Sequence, residues 1–486
     1  MGSSKPGIAL NLNMIKRILP LLLAVSLLFW ASPASAQDPT PAPVSGPIYI
    51  IQLGDSLSSI ASRFGVSLND LMAANGISDA NNISAGAQII IPGLEGVTGI
   101  LDTELVGYGD TLLSLSRRNQ VPESFLRKLN HITSPAELYA GVGLVLPKKE
   151  NFTPLSNRAT LAMGETLLEA AVREQSDPWT LATLNGLDNP YTALPGDILY
   201  APGETGEDDQ PPGGLPSAFL QISASPLPVM QGRTAKIIVK AAPGVTLGGL
   251  LVDKPLRFFP LEDGRQVALQ GIHALLEPGP YPLRLEATLP DGSKQTFEQM
   301  IIVQTGYYPD DPLLVVPPEF IDPVVTANEI AQVEAITAPA NPARYWQGLF
   351  QGPDYFKDGC FTSRYGNRRK YIGQGTELEY YSFHTGLDFC GGVGVQITAP
   401  ADGVVVLAGP LTIRGNATII DHGWGVYSGI WHQSEIKVAA GQTVKAGDVI
   451  GLVGGTGRVT GAHLHWELWV NGIQVNPMEW LETTFP

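Results

Sequence analysis

Gly54-Asp55-Ser56, Gly109-Asp110-Thr111 and Gly164-Glu165-Thr166 stand 55 positions apart, and Asn75, Asn130 and Asn185 keep that interval, as do Pro92, Pro147 and Pro202. Three landmarks holding one period make residues 48–202 a tandem of one small unit, which rules out a single large core there. In the first copy Ile48 to Gln52 is rich in β-formers, and Asp55 or Ser56 can cap a helix whose Leu57, Ile60, Ala61 and Phe64 follow i, i+3, i+4, i+7. A second short helix runs from Ser67 toward Asn75, and Gln88 to Ile91 reads as a strand stopped by Pro92. Each copy is thus expected to be strand, helix, helix, strand. In copies two and three Phe64 becomes Asn119 and Glu174, which removes the last apolar contact of the first helix.

With its G-D-[ST] turn, the N-G or N-H after the second helix and the closing proline, the unit resembles the LysM module. The resemblance covers residues 48–93, 103–148 and 158–203 and implies binding to N-acetylglucosamine-containing glycans such as peptidoglycan. The family's sugar groove would map to Gly54, Asp55, Ser56, Asn75, Gly76 and Ile77, and to Gly109, Asp110, Thr111, Asn130, Gly164, Glu165, Thr166 and Asn185 in the later copies. The bland reading of the same residues is tight turns and caps, which Gly, Asp and Asn make anyway. Tandem copies on one chain can sum weak sites into useful avidity.

At 486 residues, with 54 Gly and 40 Pro, the chain exceeds one ordinary core and reads as several modules on extended linkers. A net charge of −16 argues against nucleic acid as a partner. Lys16 and Arg17, the apolar run Ile18 to Trp30 and Ala34-Ser35-Ala36 read as a secretory signal over residues 1–36, with an uncleaved anchor as the alternative. Its apolar run is short for a bilayer span, so no stable span is expected after cleavage and the protein is placed outside the cytoplasm, at the cell wall. Residues 204–216 are acidic, rich in Gly and Pro, and read as a linker. Residues 217–304 alternate as β-strands, with Asp291-Gly292 as a hairpin turn, and suggest an immunoglobulin-like sandwich serving as a spacer, in which His273 is structural. Residues 305–350 are proline-rich and read as a linker, with a helix near Ala327 to Ile336 that could drape over the last module.

Residues 351–486 hold short β-runs punctuated by glycine, the pattern of a mainly antiparallel sheet. Five of the seven histidines fall between His384 and His465. His384 and Asp388 stand in H-T-G-L-D, His463 and His465 in H-L-H-W-E-L. Imidazole and carboxylate are the ligands of a catalytic zinc held by three protein groups. Side chains at i and i+2 of a strand share a face about 7 Å apart, so one of His463 and His465 can ligate while the other acts on bound water; spacing alone does not say which. Glu467 either orients a ligand imidazole or is a solvated strand residue. Cys360 and Cys390 are expected to form a disulfide bracing the loop to Asp388, the alternative being a Cys390 thiolate near the metal.

The order H-T-G-L-D, A-D-G-V-V, D-H-G-W-G-V-Y-S-G-I-W-H and T-G-A-H-L-H-W-E-L resembles the lysostaphin-type (LytM-like) zinc endopeptidases. That resemblance implies His384, Asp388 and His465 as zinc ligands and His432 and His463 as catalytic histidines. His422, which follows a β-run and precedes a turn, reads as structural. Gly429, Trp431 and Gln433 depart from the family's usual surroundings of His432. The expected protein is a multidomain, exported zinc endopeptidase cutting peptide cross-links of peptidoglycan. The alternative is a catalytically silent wall-binding scaffold or amidase activator.

Overall fold

The computed structural model describes residue 2 and residues 46–486, except 95–96, 135–136, 149–151, 162–163, 195–196, 204–214 and 354–359. The signal segment and most of the 204–216 linker therefore lie outside the described residues. The chain divides into two compact units, Met1–Thr98 and Gly99–Pro486. Among the described residues no helix is long and apolar enough to cross a membrane.

In the first unit, Ile48–Ile50 pairs antiparallel with Gln88–Ile90 around the helices Leu57–Phe64 and Leu68–Asn75. Leu57, Ile60, Ala61 and Phe64 are buried, as their spacing predicts, and Ser56 rather than Asp55 is the cap, in a reciprocal capping box with Ser59. Asn75 ties the second helix to the closing strand: its amide donates to Leu71 O and Ile90 O, and its Oδ1 accepts from Ile90 N at 2.6 Å.

The second unit opens with the same order twice. Ile100–Leu105 pairs with Gly143–Lys148 around helices Leu112–Asn119 and Glu123–Asn130; Arg158–Thr160 pairs with Ile198–Tyr200 around Leu167–Arg173 and Pro178–Leu184. Asn130 and Asn185 repeat the Asn75 clamp onto Val145 and Tyr200. Asn119, where the first copy has Phe64, stays buried because its amide donates to Glu104 and Leu115 O.

Residues 219–304 build two facing sheets, one of five strands and one of four, around Phe219, Ile237, Val239, Leu283 and Leu285. The Asp291-Gly292 turn joins Gly279–Thr288 to Lys294–Gln304, with Thr288 opposite Lys294. The spacer expectation fails here. Gln266–Gly271 is buried on both faces, and its Val267 and Leu269, with Phe259, enter the same core as Trp346, Trp424, Val470 and Trp480 of the C-terminal domain. Phe259 stacks on Trp424 at 5.1 Å between centroids. The sandwich is a fixed platform for the last domain.

Glu479 is buried in that junction, accepting from Thr234 N at 2.8 Å, with Arg233 3.9 Å away. Burial raises its pKa to about 7 from an ordinary 4.5, against the opposing pull of the Thr234 N–H and Arg233. A carboxyl whose folded pKa is raised contributes its stability below 4.5 and loses it as pH rises through 7. Glu479→Gln is therefore expected to melt above the wild type at pH 8, by the equivalent of about 3 kcal/mol, and to converge with it at acid pH in thermal melts.

For 305–350 the helix expected near Ala327 to Ile336 is present, while the plain linker expected around it is corrected. Leu314–Val316 pairs in parallel with Arg368–Gly373, which continues to Glu379–Phe383 in a three-stranded sheet. Pro323–Thr337 is a helix with Asp322 as cap and Pro323 at its first position, where a missing N–H costs nothing. The prolines punctuate structured elements. The C-terminal domain has an antiparallel sheet in which Phe361–Ser363, Gly386–Phe389, Leu464–Val470, Val426–Gln433, Asn416–Gly423, Gly403–Pro410 and Thr443–Val444 follow in that order. Every residue of Leu464–Val470 and Val426–Gln433 is buried, so these two strands are the rigid centre on which the site is mounted.

Candidate active site

Strand register assembles the cluster. Asp388 lies opposite His465, Gly386 opposite Glu467, and Trp431 opposite His465 on the other side. His384 sits just before the Gly386–Phe389 strand, so its ring reaches the same point. His384 Nε2 is 3.0 Å from Asp388 Oδ1 and 3.1 Å from His465 Nδ1, and His465 Nδ1 is 2.6 Å from Asp388 Oδ1. One atom from each of the three residues lies within 4.8 Å of the other two. Two imidazoles and a carboxylate so converged fit a zinc ion.

The far sides of the rings fix which nitrogen faces the centre. Backbone carbonyls only accept, so His384 Nδ1–H donates to Arg364 O at 2.8 Å and leaves Nε2 as the lone-pair donor to a metal. His465 Nε2 is held by Glu467 Oε1 at 3.3 Å, leaving Nδ1. Glu467 is buried and fixed by Thr385 and Gln474, with Arg414 4.0 Å away. Burial would raise its pKa, but Arg414, His465 and Thr385 hold it at about 2, so it is ionised and orients His465; the solvated reading is excluded. Burial also opposes the charge on Asp388, yet the two imidazoles keep it well below the ordinary carboxylate range.

Two more imidazoles complete the group. His432 Nδ1–H donates to Thr456 O at 2.8 Å and His463 Nδ1–H to Gly461 O at 2.9 Å, so both present Nε2 lone pairs. Their rings are 5.1 Å apart, and His463 Nε2 is 3.4 Å from Asp388 Oδ1. Burial, then His465 and His463, depress the His432 pKa well below the histidine norm, which keeps it a proton acceptor. His432 has φ +62°, a left-handed conformation that a non-glycine residue adopts only under surrounding constraint.

Sequence reasoning missed several supports. Arg369 bridges Asp311 Oδ2 at 2.9 Å and Asp388 Oδ2 at 3.3 Å, and no local motif announces it. A Cβ at Gly386 would meet Trp466 O at 2.2 Å and His465 Nε2 at 2.8 Å, so the glycine of H-T-G-L-D is required for the close approach. Cys360 and Cys390 are disulfide-bonded, which removes the thiolate alternative. His422 is fully buried between Asp402 O and Ser428 Oγ, its pKa lowered by burial to about 4, and His131 caps a helix with φ +54°. His273 stacks edge-on against Phe383 and lines the same cavity as the five site residues.

The expected sugar residues are placed differently. Asn75, Asn130 and Asn185 spend their side-chain amides on backbone groups of the closing strands, a structural role beside the sugar contact expected of them. Asp55 accepts from Tyr49 OH and Gln52 N, and Ser56, Thr111 and Thr166 are helix caps. Gly76 is a left-handed C-cap, from which Ile77 N closes onto Met72 O. Gly109 N donates to Gln299 of the sandwich at 2.9 Å, and Asp110 is buried among Arg118 and Arg158, so the turn of the second copy is a docking surface within the chain. Gly164 turns the third copy with φ +80°, and Glu165 pairs with Arg173.

The Peptidase family M23 model matches residues 382–477, and the LysM domain model matches residues 49–92 and 105–147. Residues 158–203 rest on the repeat period and the shared element order. The chain is similar to the DD-carboxypeptidase/endopeptidase Mpg of Neisseria meningitidis, 44% identical over 101 residues, which is 21% of this chain and 23% of that protein. It is also similar to the peptidoglycan DD-endopeptidase ShyA of Vibrio cholerae, 45% identical over 96 residues, 20% and 22% of the two chains. Among solved structures, the catalytic domain of lysostaphin from Staphylococcus simulans is 32% identical over 21% of this chain and 80% of that one, with a TM-score of 0.20. The chain thus spans less than a quarter of the length of these curated relatives. Residues 382–477, which hold all five site residues, are a Peptidase family M23 domain, carried behind LysM domains at 49–92 and 105–147.

Proposed function

We propose that this chain is an exported, zinc-dependent endopeptidase that hydrolyses peptide cross-links of peptidoglycan and is held at the wall by its first LysM domain. The observation that carries this is the convergence of His384 Nε2, Asp388 Oδ1 and His465 Nδ1 beside two further imidazoles. When bound there, zinc supplies a Lewis acid and lowers the pKa of water toward neutrality. The chain's own part is positional. Nε2 of His432 or His463 takes a proton from the attacking water and returns it to the leaving amine. Glu467 and the Arg364 carbonyl keep the ligand rings from rotating.

The third repeat is read as a LysM-like unit and the two-sheet domain as immunoglobulin-like. Both are read as architecture, since the second repeat's turn is packed on the sandwich and Arg117 of the second repeat donates into the third at Ile198 O. A silent scaffold has no need of a complete ligand set with its orienting partners. The reading is tested by digesting purified peptidoglycan and identifying new amino termini by mass spectrometry. Peptide cross-links should open with the wild type and stay intact with His465→Ala or after chelation; equal release in all three samples would sink the proposal.

A further inference from the structure

Three arginines line the cavity that contains the histidine cluster: Arg369, Arg414 and Arg458. Two are neutralised, Arg369 by Asp311 and Asp388 and Arg414 by Glu329. Among the described residues no carboxylate pairs with Arg458, although the chain carries a net charge of −16. Its guanidinium lies 4.5 Å from the Tyr371 ring centroid and 5.6 Å from that of Tyr380, and one Nη donates a long 3.3 Å bond to Phe320 O. Most of its five N–H donors remain uncommitted.

The backbone under Arg458 is pinned as well. Arg458 N donates to Ile413 O at 2.7 Å, and Gly457, at φ +77°, approaches so closely that a Cβ would stand 2.4 Å from the same oxygen. Gly415 meets Thr456 in the same way, its added Cβ 2.3 Å from Thr456 Oγ1. A guanidinium stacked on two tyrosines above a tight double turn has little freedom left to lose on binding. Its planar fork matches a carboxylate through two parallel hydrogen bonds.

We propose that Arg458 is a subsite for a substrate carboxylate, making the preferred substrate a cross-linking peptide that bears a free carboxylate next to the cleaved bond. This rests on the hydrolase reading above and narrows it. A bridge of glycines alone offers no such group. The carboxylate has two possible sources of one chemistry: the side-chain carboxylate of a diamino acid in the cross-link, or the terminal carboxylate of the peptide.

The test uses full-length wild type, Arg458→Gln and Arg458→Lys with short cross-linked peptides, amidated at neither carboxylate, at the side-chain one, or at the terminal one. The expected result is a KM raised about 10- to 100-fold in Arg458→Gln with kcat within about twofold, the size of one charge-assisted contact. Amidating the recognised carboxylate should cost the wild type the same factor and cost Arg458→Gln nothing more, which also identifies the source. Arg458→Lys should recover part of the loss. An unchanged KM in Arg458→Gln, or the same penalty on all three peptides, overturns the proposal. Calorimetric titration of the same peptides into His463→Ala protein, with and without Arg458→Gln, reads the subsite without turnover. If the wild type cuts none of the peptides while binding still depends on Arg458 and one carboxylate, the hydrolase reading falls and the subsite stands.

Discussion

On the zinc reading proposed above, His465→Ala and His463→Ala are expected to abolish turnover alike, each by about 1,000-fold or more, and only His465→Ala is expected to lose metal. The two residues are two positions apart on one strand, but their surroundings differ. His465 presents Nδ1 2.6 Å from Asp388 Oδ1 and is locked from behind by ionised Glu467. His463 is partly exposed, takes its orientation from Gly461 O and reaches Asp388 Oδ1 only at 3.4 Å. Removing His465 deletes one of three ligands and leaves Glu467 without its imidazole. Removing His463 deletes a proton carrier and leaves the ligand set whole. Metal content of the purified variants, measured with peptide turnover, separates the two cases. Stoichiometric zinc in His465→Ala, or its loss in His463→Ala, would reverse the assignment.

The candidate ligand types were legible because strand spacing and the H-T-G-L-D and H-L-H patterns are local. Spacing alone left the choice within H-L-H open and only the family resemblance pointed to His465, because the convergence of His465 on Asp388 depends on pairing across strands 77 positions apart and on Glu467 being buried. The first LysM helix was readable from its apolar period, since Leu57, Ile60, Ala61 and Phe64 need only their own helix to define a face. The clamp made by the Asn75 amide was not legible because its partner, Ile90, lies on the closing strand 15 positions away. Residues 305–350 looked like a linker on proline content, yet Leu314–Val316 finds its partner only in Arg368–Gly373. One signal was available for the sandwich: Val267-Ala268-Leu269 is a continuous apolar run, the mark of a strand covered on both faces, where a spacer would alternate.

Glu329→Ala is expected to destabilise the protein by about 3–5 kcal/mol and to lower kcat about 10- to 100-fold and, on the zinc reading, to leave metal content unchanged. Glu329 sits mid-helix in Pro323–Thr337, 5% exposed, and its carboxylate accepts from Ile413 N at 2.7 Å, Arg414 N at 3.1 Å and Arg414 Nη1 at 3.1 Å. Alanine leaves the buried Ile413 N–H and the half-buried Arg414 N–H and guanidinium without this acceptor, a larger cost than losing a surface ion pair. The damage also points toward the site. Arg414 O accepts from His432 N at 2.9 Å, and that bond helps hold His432 at its left-handed φ. Once the 413–415 turn relaxes, the His432 ring loses its aim, whereas Asp388 and His465 are held by the pairing of Gly386–Phe389 with Leu464–Val470 and, on the zinc reading, are expected to retain metal. Glu329→Gln, which keeps one acceptor oxygen, should fall between alanine and wild type in both melting midpoint and kcat. Wild-type kcat in a destabilised Glu329→Ala would mean that the helix is only packed on the domain and has no part in positioning His432.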